Sequence, residues 1–246
     1  MTAPGGEPGL MVNRRRWCAC PHPPSLGAAD RQRLTTPKAA VLRGARWGAG
    51  DGDRPVITVG FLEGDPALQK RVRDVARGWM DHANILLDFR PNADTNVRVA
   101  FREGDGSWSL LGTQCIDVQA GAPTVNFGWL EAGSPDEDLR PVVLHEFGHV
   151  LGLIHEHQSP AGGGIKWDTE AVVAEMAAPP NLWTRKATEQ NILSEWSRTA
   201  VAATPLDPAS IMMYPIPASW TLDGFSSGFN PALTEEDKLL VRTAYP

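Results

Sequence analysis

The chain has 246 residues, 42% hydrophobic and 21% charged, near the averages of soluble globular proteins, so one domain of ordinary-to-large size with its own core plus an appendage fits. No apolar run approaches the roughly eighteen residues of a membrane span, and no span is expected. Residues 1–54 hold nine Lys or Arg against four Asp or Glu, while the rest holds 14 against 25; an acidic body behind a basic tail argues against nucleic acid as a partner.

Residues 1–55 carry seven Pro and eight Gly and no sustained apolar period, so residues 1–44 read as a disordered or pro-segment-like extension and 45–246 as the folded domain. Arg14, Arg15 and Arg16 resemble the start of a signal sequence, but WCACPHPP after them lacks the apolar stretch a signal needs. The three cysteines, Cys18, Cys20 and Cys115, are too few for a disulfide framework.

VITVGFL (Val56 to Leu62) predicts a strand. Over 65–84, Leu68, Val72, Val75, Trp79 and Met80 recur at three- and four-residue steps, the period of an amphipathic helix. ILLDF (85–89), VRVAF (97–101) and TVNFG (124–128) predict further strands, with SWSLLGT between the last two. Ser134, Pro135 and Glu137 predict a capped helix start, with Ser134 as the cap. Asp136, Glu137 and Asp138 place negative charge at its positive end. That helix is expected to stop at Gly152. Beyond it the chain is Pro-rich, with one closing helix expected over 234–244.

Four of the six histidines fall within HEFGHVLGLIHEH. His145 and His149, four residues apart, share a helix face and can share a metal. Gly152 can adopt the left-handed backbone that ends a helix and returns the chain, bringing round His155 as third ligand. Three imidazoles suit a catalytic Zn²⁺ with one open position. Glu146 stands beside such a metal without occupying it, placed for general-base work. Two helical histidines can also be ordinary surface groups, and HExxH alone occurs by chance. HExxHxxGxxH is more restrictive, because five residues are fixed in eleven positions.

HEFGHVLGLIH resembles the metzincin signature, and SIMMYP, whose Met212 lies 57 residues after His155, resembles the methionine turn of that family. HEH after the glycine together with S-x-M-x-Y is similar to the astacin branch and its bacterial and fungal relatives. The resemblance implies an α+β zincin/metzincin fold: a twisted mixed sheet with two long helices above a cleft, and an irregular C-terminal subdomain below. It implies Met212 as an apolar floor under the metal and Tyr214 as a group near the zinc that stabilises the oxyanion. SWSLLGT then resembles an edge strand that pairs with a peptide substrate.

The chain departs from the astacin pattern. Met213 stands where histidine is usual, QSPAGGG replaces a charged continuation, and the four-cysteine framework is missing. Glu156 corresponds to the glutamate that pairs with a new N-terminus in mature astacins. Cys18, Cys20 and His22 offer a thiolate or imidazole that could block the metal, against the default of an uninvolved tail.

The function expected is a zinc-dependent endopeptidase, with Glu146 and Tyr214 catalytic, one Zn²⁺ per chain, a protein or peptide substrate and a monomeric chain. One rival is a metzincin-fold zinc-binding interaction domain without activity; another is a zinc hydrolase of non-peptide substrates. The resemblance implies secretion, yet no signal peptide is recognisable, so the compartment stays open.

Overall fold

The computed structural model describes residues 41–91, 94–161, 164–179, 181–202 and 205–246. The chain enters through a two-residue strand, β1 (Val41–Leu42), then β2 (Val56–Phe61), α1 (Pro66–Ala76), β3 (Leu86–Phe89), β4 (Val97–Ala100), β5 (Ser107–Ser109) and β6 (Val125–Phe127). The five strands from β2 to β6 form one mixed sheet in the order β3-β2-β4-β6-β5; all neighbours are parallel except β5, which runs antiparallel to β6. This is the expected α+β arrangement.

The upper half follows its sequence signals closely. Asp65 Oδ1 accepts from the amides of Ala67 and Leu68, and Pro66 opens α1 where a missing N–H costs nothing. The helical period carries on past Ala76 as a tighter 3-10 turn to Asp81, which buries Trp79. β2 and β4 are rich in Val and Ile because parallel strands are covered on both faces. β5 is the last strand of the sheet. Asn126 holds the turn into it by donating to the carbonyls of Arg102 and Gly106, and a Cβ on Gly128 would collide with that same Gly106 carbonyl.

Helix α2 (Asp136–Val150) packs against α1 and β5 and is buried nearly all round. Its start corrects the sequence reading. Pro135 is the cap position and no side chain caps the helix, because Ser134 Oγ turns back to accept from Glu131 N. Arg71 of α1 holds this end instead, donating to the carbonyls of Ala132 and Ser134 and to the Asp136 carboxylate.

Below α2 lie α3 (Thr169–Ala177), α4 (Arg185–Thr188) running into a π-type turn, β7 (Val201–Ala202) and finally α5 (Glu235–Ala244). The closing helix is as expected, capped by a reciprocal Thr234–Asp237 box. α3 was not anticipated; its cap, Asp168, accepts from Ala171 N. β7 pairs with β1, so Val41 and Leu42, assigned to the extension by composition, are packed into the body. Three cores result. The largest contains Ile211 and Met212, a second in the lower half contains Met213, Tyr214 and Trp220, and a small third joins Leu42, Ala45, Leu111, Ile154 and Val201 around the β1–β7 pair. The first two meet at one turn.

Candidate metal centre

The C-terminal end of α2 is built to return the chain. Gly152 has φ +83°, which favours glycine because a Cβ crowds there. Its N–H donates to His149 O, and Leu153 N donates to Gly148 O, the paired bonds of a Schellman stop. Carbonyls that a helix end leaves without partners are taken by long-range donors. Trp47 Nε1 donates to Val150 O at 2.8 Å, Tyr245 OH to Leu151 O at 2.8 Å, and Leu42 N to Gly152 O at 2.9 Å. The turn is thereby pinned by three donors from two distant parts of the chain, the segment 42–47 and Tyr245.

It delivers His155 opposite His145 and His149, and the ligand atoms of all three lie within 4.8 Å of one another. Backbone carbonyls fix the tautomers of two of them. His145 Nδ1 is 2.7 Å from Ile211 O, and His149 Nδ1 is 2.7 Å from Leu153 O. A carbonyl only accepts, so each Nδ1 carries its hydrogen and each Nε2 presents a lone pair. His149 Nε2 and His155 Nε2 face each other at 3.1 Å, and His145 Nε2 is buried with no hydrogen-bond partner. Lone pairs converging in this way call for a cation between them. Burial lowers the pKa of His145 to about 4 and holds His155 well below the usual range, neighbouring imidazoles adding to the second effect. Both rings are therefore neutral at ordinary pH, the form in which an imidazole can bind a metal.

Met212 lies under this helix turn, its Sδ pressed against Gly148. Tyr214 is 2% exposed, its ring 4.2 Å from that of His155 and 4.5 Å from that of His157. Glu146, fully buried, lines a recess with His145 and Tyr214. Pro141 and Val142 of α2, Ser107 of β5, and Met213 and Phe229 of the lower half form its walls. The expected site residues His145, Glu146, His149, His155 and Tyr214 therefore gather at one place, at the foot of the edge strand.

Met213, standing for the usual histidine, both walls the recess and helps fill the lower core. Glu156, Gln158 and Cys115, also singled out by sequence, do not line the recess. Gln158 in the departing QSPAGGG stretch is buried and donates to the carbonyls of Gln190 and Ser194, tying that segment to the turn after α4. Glu156 is 3% exposed and accepts from Asp207 N, and burial pushes its pKa up to about 7. Cys115 is a free, buried thiol pushed up to about 12 by burial, which makes it inert. Cys18, Cys20 and His22 lie outside the described residues. Two groups escaped the sequence reading: the Ile211 carbonyl, which has no sequence signal, and Asp237, visible only as half of a capping box.

No model of a known protein family matches the chain. Among solved structures, one of myroilysin superposes with a TM-score of 0.79 at 39% identity, covering 84% of this chain and 98% of that one. A second myroilysin structure gives 0.63 at 35%, covering 89% and 96%. The hatching enzyme HCE-1 of the medaka fish Oryzias latipes, a zinc-protease, gives 0.51 at 16% over 80% and 92% of the two chains, a likeness of fold alone. Serralysin B of Dickeya chrysanthemi is 30% identical over 122 residues, which is 45% of this chain and 25% of that one, so the match spans about a quarter of the length of this curated relative. Mixed sheet, α2 and histidine triad together define the fold of a zinc metalloprotease. The chain belongs to the metzincins, in their astacin-like branch. Among the described residues no helix is long and apolar enough to cross a membrane.

Proposed function

We propose that the chain is a zinc-dependent endopeptidase, holding one Zn²⁺ on His145, His149 and His155 and cutting peptide bonds in a protein or peptide substrate as a monomer. The observation that carries this reading is the convergence of three imidazole ligand atoms within 4.8 Å beside a buried glutamate. Zinc bound there supplies Lewis acidity toward water and the scissile carbonyl.

The remaining steps belong to the chain itself. Glu146 takes a proton from the attacking water and hands it to the departing amine. The Tyr214 hydroxyl donates to the carbonyl oxygen as that atom gains charge. The substrate backbone pairs along the outer edge of β5, the last strand of the sheet. A side chain flanking the cut enters the recess beside Glu146. An edge strand of this kind suits a peptide and has no use for a small non-peptide substrate.

The rival reading, a zinc-binding interaction domain without activity, fits less well. A purely structural site is closed by a fourth protein ligand, and among the described residues no fourth His, Cys, Asp or Glu joins the three histidines. The test combines metal analysis with cleavage of casein, with and without chelator. The expected result is about one zinc per chain, cleavage, and its loss on chelation. Glu146→Gln is expected to keep zinc and fold while losing roughly 10² to 10⁴ in rate. An active Gln variant would assign the base elsewhere, and a zinc-loaded parent that cuts nothing would favour the interaction domain.

A further inference from the structure

Resting on the reading of the histidine triad as the zinc site, we propose that Asp237 is a positioning residue that sets the spacing between the first and third ligands. It touches neither. Asp237 sits in the first turn of α5, 2% exposed, and its carboxylate accepts three hydrogen bonds. One comes from Ser210 Oγ at 2.6 Å, one from Ile211 N at 2.9 Å and one from Thr234 N at 2.9 Å. Ser210 Oγ in turn accepts from Met212 N at 3.0 Å. Three consecutive residues of the methionine turn are thus clamped by one side chain.

Those residues hold the ligands from below. Ile211 O accepts from His145 Nδ1 at 2.7 Å. Met212 O accepts from Glu156 N at 3.0 Å, the amide directly after His155. His145 and the His155 segment are therefore both referenced to neighbouring carbonyls of a single turn. That turn has no regular secondary structure of its own, so its register depends on the groups that grip it. Buried charge-assisted bonds are the strong ones among these, and Asp237 supplies two of them to the turn. Hydrogen-bond partners that orient metal ligands typically contribute 10- to 100-fold in metal affinity.

The competing role is ordinary helix capping, since Asp237 is also half of the box with Thr234. The two roles separate by mutation. Thr234→Ala removes the other half of the box and leaves the carboxylate on Ser210 and Ile211. Asp237→Asn keeps the shape: its carbonyl oxygen can accept from Ile211 N and Thr234 N while its amide donates to Ser210 Oγ. Asp237→Ala removes the clamp.

The experiment measures, on the full chain, the melting temperature of the metal-free form, zinc affinity by chelator competition and the visible spectrum of the Co²⁺-loaded form. Thr234→Ala is expected to melt lower, with zinc affinity and Co²⁺ bands within about twofold and unshifted. Asp237→Ala is expected to bind zinc about tenfold more weakly with shifted Co²⁺ bands, and Asp237→Asn to stay near the parent. If Asp237→Ala does not fold, Ser210→Ala, which cuts one arm of the clamp, is expected to shift the Co²⁺ bands in the same direction. Parent-like affinity and bands in Asp237→Ala, or in Ser210→Ala where the former does not fold, would overturn the proposal. So would Thr234→Ala reproducing the Asp237→Ala result. A parent that takes up no zinc would remove the metal-site reading, and this proposal with it; a zinc-loaded parent with parent-like variants defeats the proposal alone.

Discussion

Gly148 and Met212 are in such close apposition that a Cβ on the glycine would collide with the methionine Sδ. Gly148 immediately precedes His149 on α2, and Met212 sits between the carbonyl that holds His145 and the Tyr214 ring. The helix and the turn beneath it are therefore in contact at the level of His145 and His149, with no atom to spare.

Gly148→Ala puts two effects in opposition. Alanine gains about 1 kcal/mol of helix propensity, while overpacking a filled core costs about 1 to 3 kcal/mol. Met212 is 1% exposed and Trp79 also lies within 3.3 Å of the new methyl, so neither neighbour can move freely. The packing cost is expected to win by about 1 kcal/mol, lowering the melting temperature by roughly 2 to 4 °C. Zinc loss to chelator should also quicken, because the displaced turn carries Ile211 O. A variant that melts at or above the parent would show that the turn yields easily.

Tyr214→Phe tests the oxyanion role apart from packing. The ring keeps its contacts with His155 and His157, so zinc content and melting temperature should hardly change. If the hydroxyl acts mainly in the transition state, kcat and kcat/KM fall together by about 10² to 10³ with KM little altered. Turnover within about twofold of the parent would reduce Tyr214 to a packing residue.

Two truncations test where the domain begins. Removing residues 1–40 should leave the melting temperature unchanged. Removing 1–44 also takes Val41 and Leu42, both buried, the β1–β7 pairing and the Leu42 N–H on Gly152 O. Burial of such side chains is worth about 1.5 to 3 kcal/mol each, so this form should melt roughly 6 to 24 °C lower and hold zinc less well. Equal melting of the two forms would place the start of the domain at 45. Were the tail inhibitory, the 41–246 form would outpace the full chain, with Cys18→Ser/Cys20→Ser matching it.

Much of the site was legible in the sequence because it is local. Two histidines at a four-residue step, a glutamate beside the first and a glycine that reverses the chain are consequences of helix geometry and φ alone. Strands β2, β3, β4 and β6 and the closing helix were readable for the same reason: each depends on neighbours within a few positions, whereas β5 was legible only through a family resemblance. Where a local signal met a long-range partner, the partner decided. Ser134 has the pattern of a helix cap, yet its hydroxyl serves Glu131 while Arg71, more than sixty residues away, holds the helix start. Val41 and Leu42 look like tail by composition and become a strand only because Val201 lies beside them. The lower half carries little periodicity, since its order comes from single bonds such as those of Gln158 rather than from a repeating face. Asp237 is the clearest case. Its sequence marks a helix start, but its hold on Ser210 and Ile211, 27 and 26 residues back, exists only once the chain has folded. Periodicity and capping report interactions a few residues long; the grip on His145 and on the segment after His155 is set by pairings that leave no periodic trace in sequence.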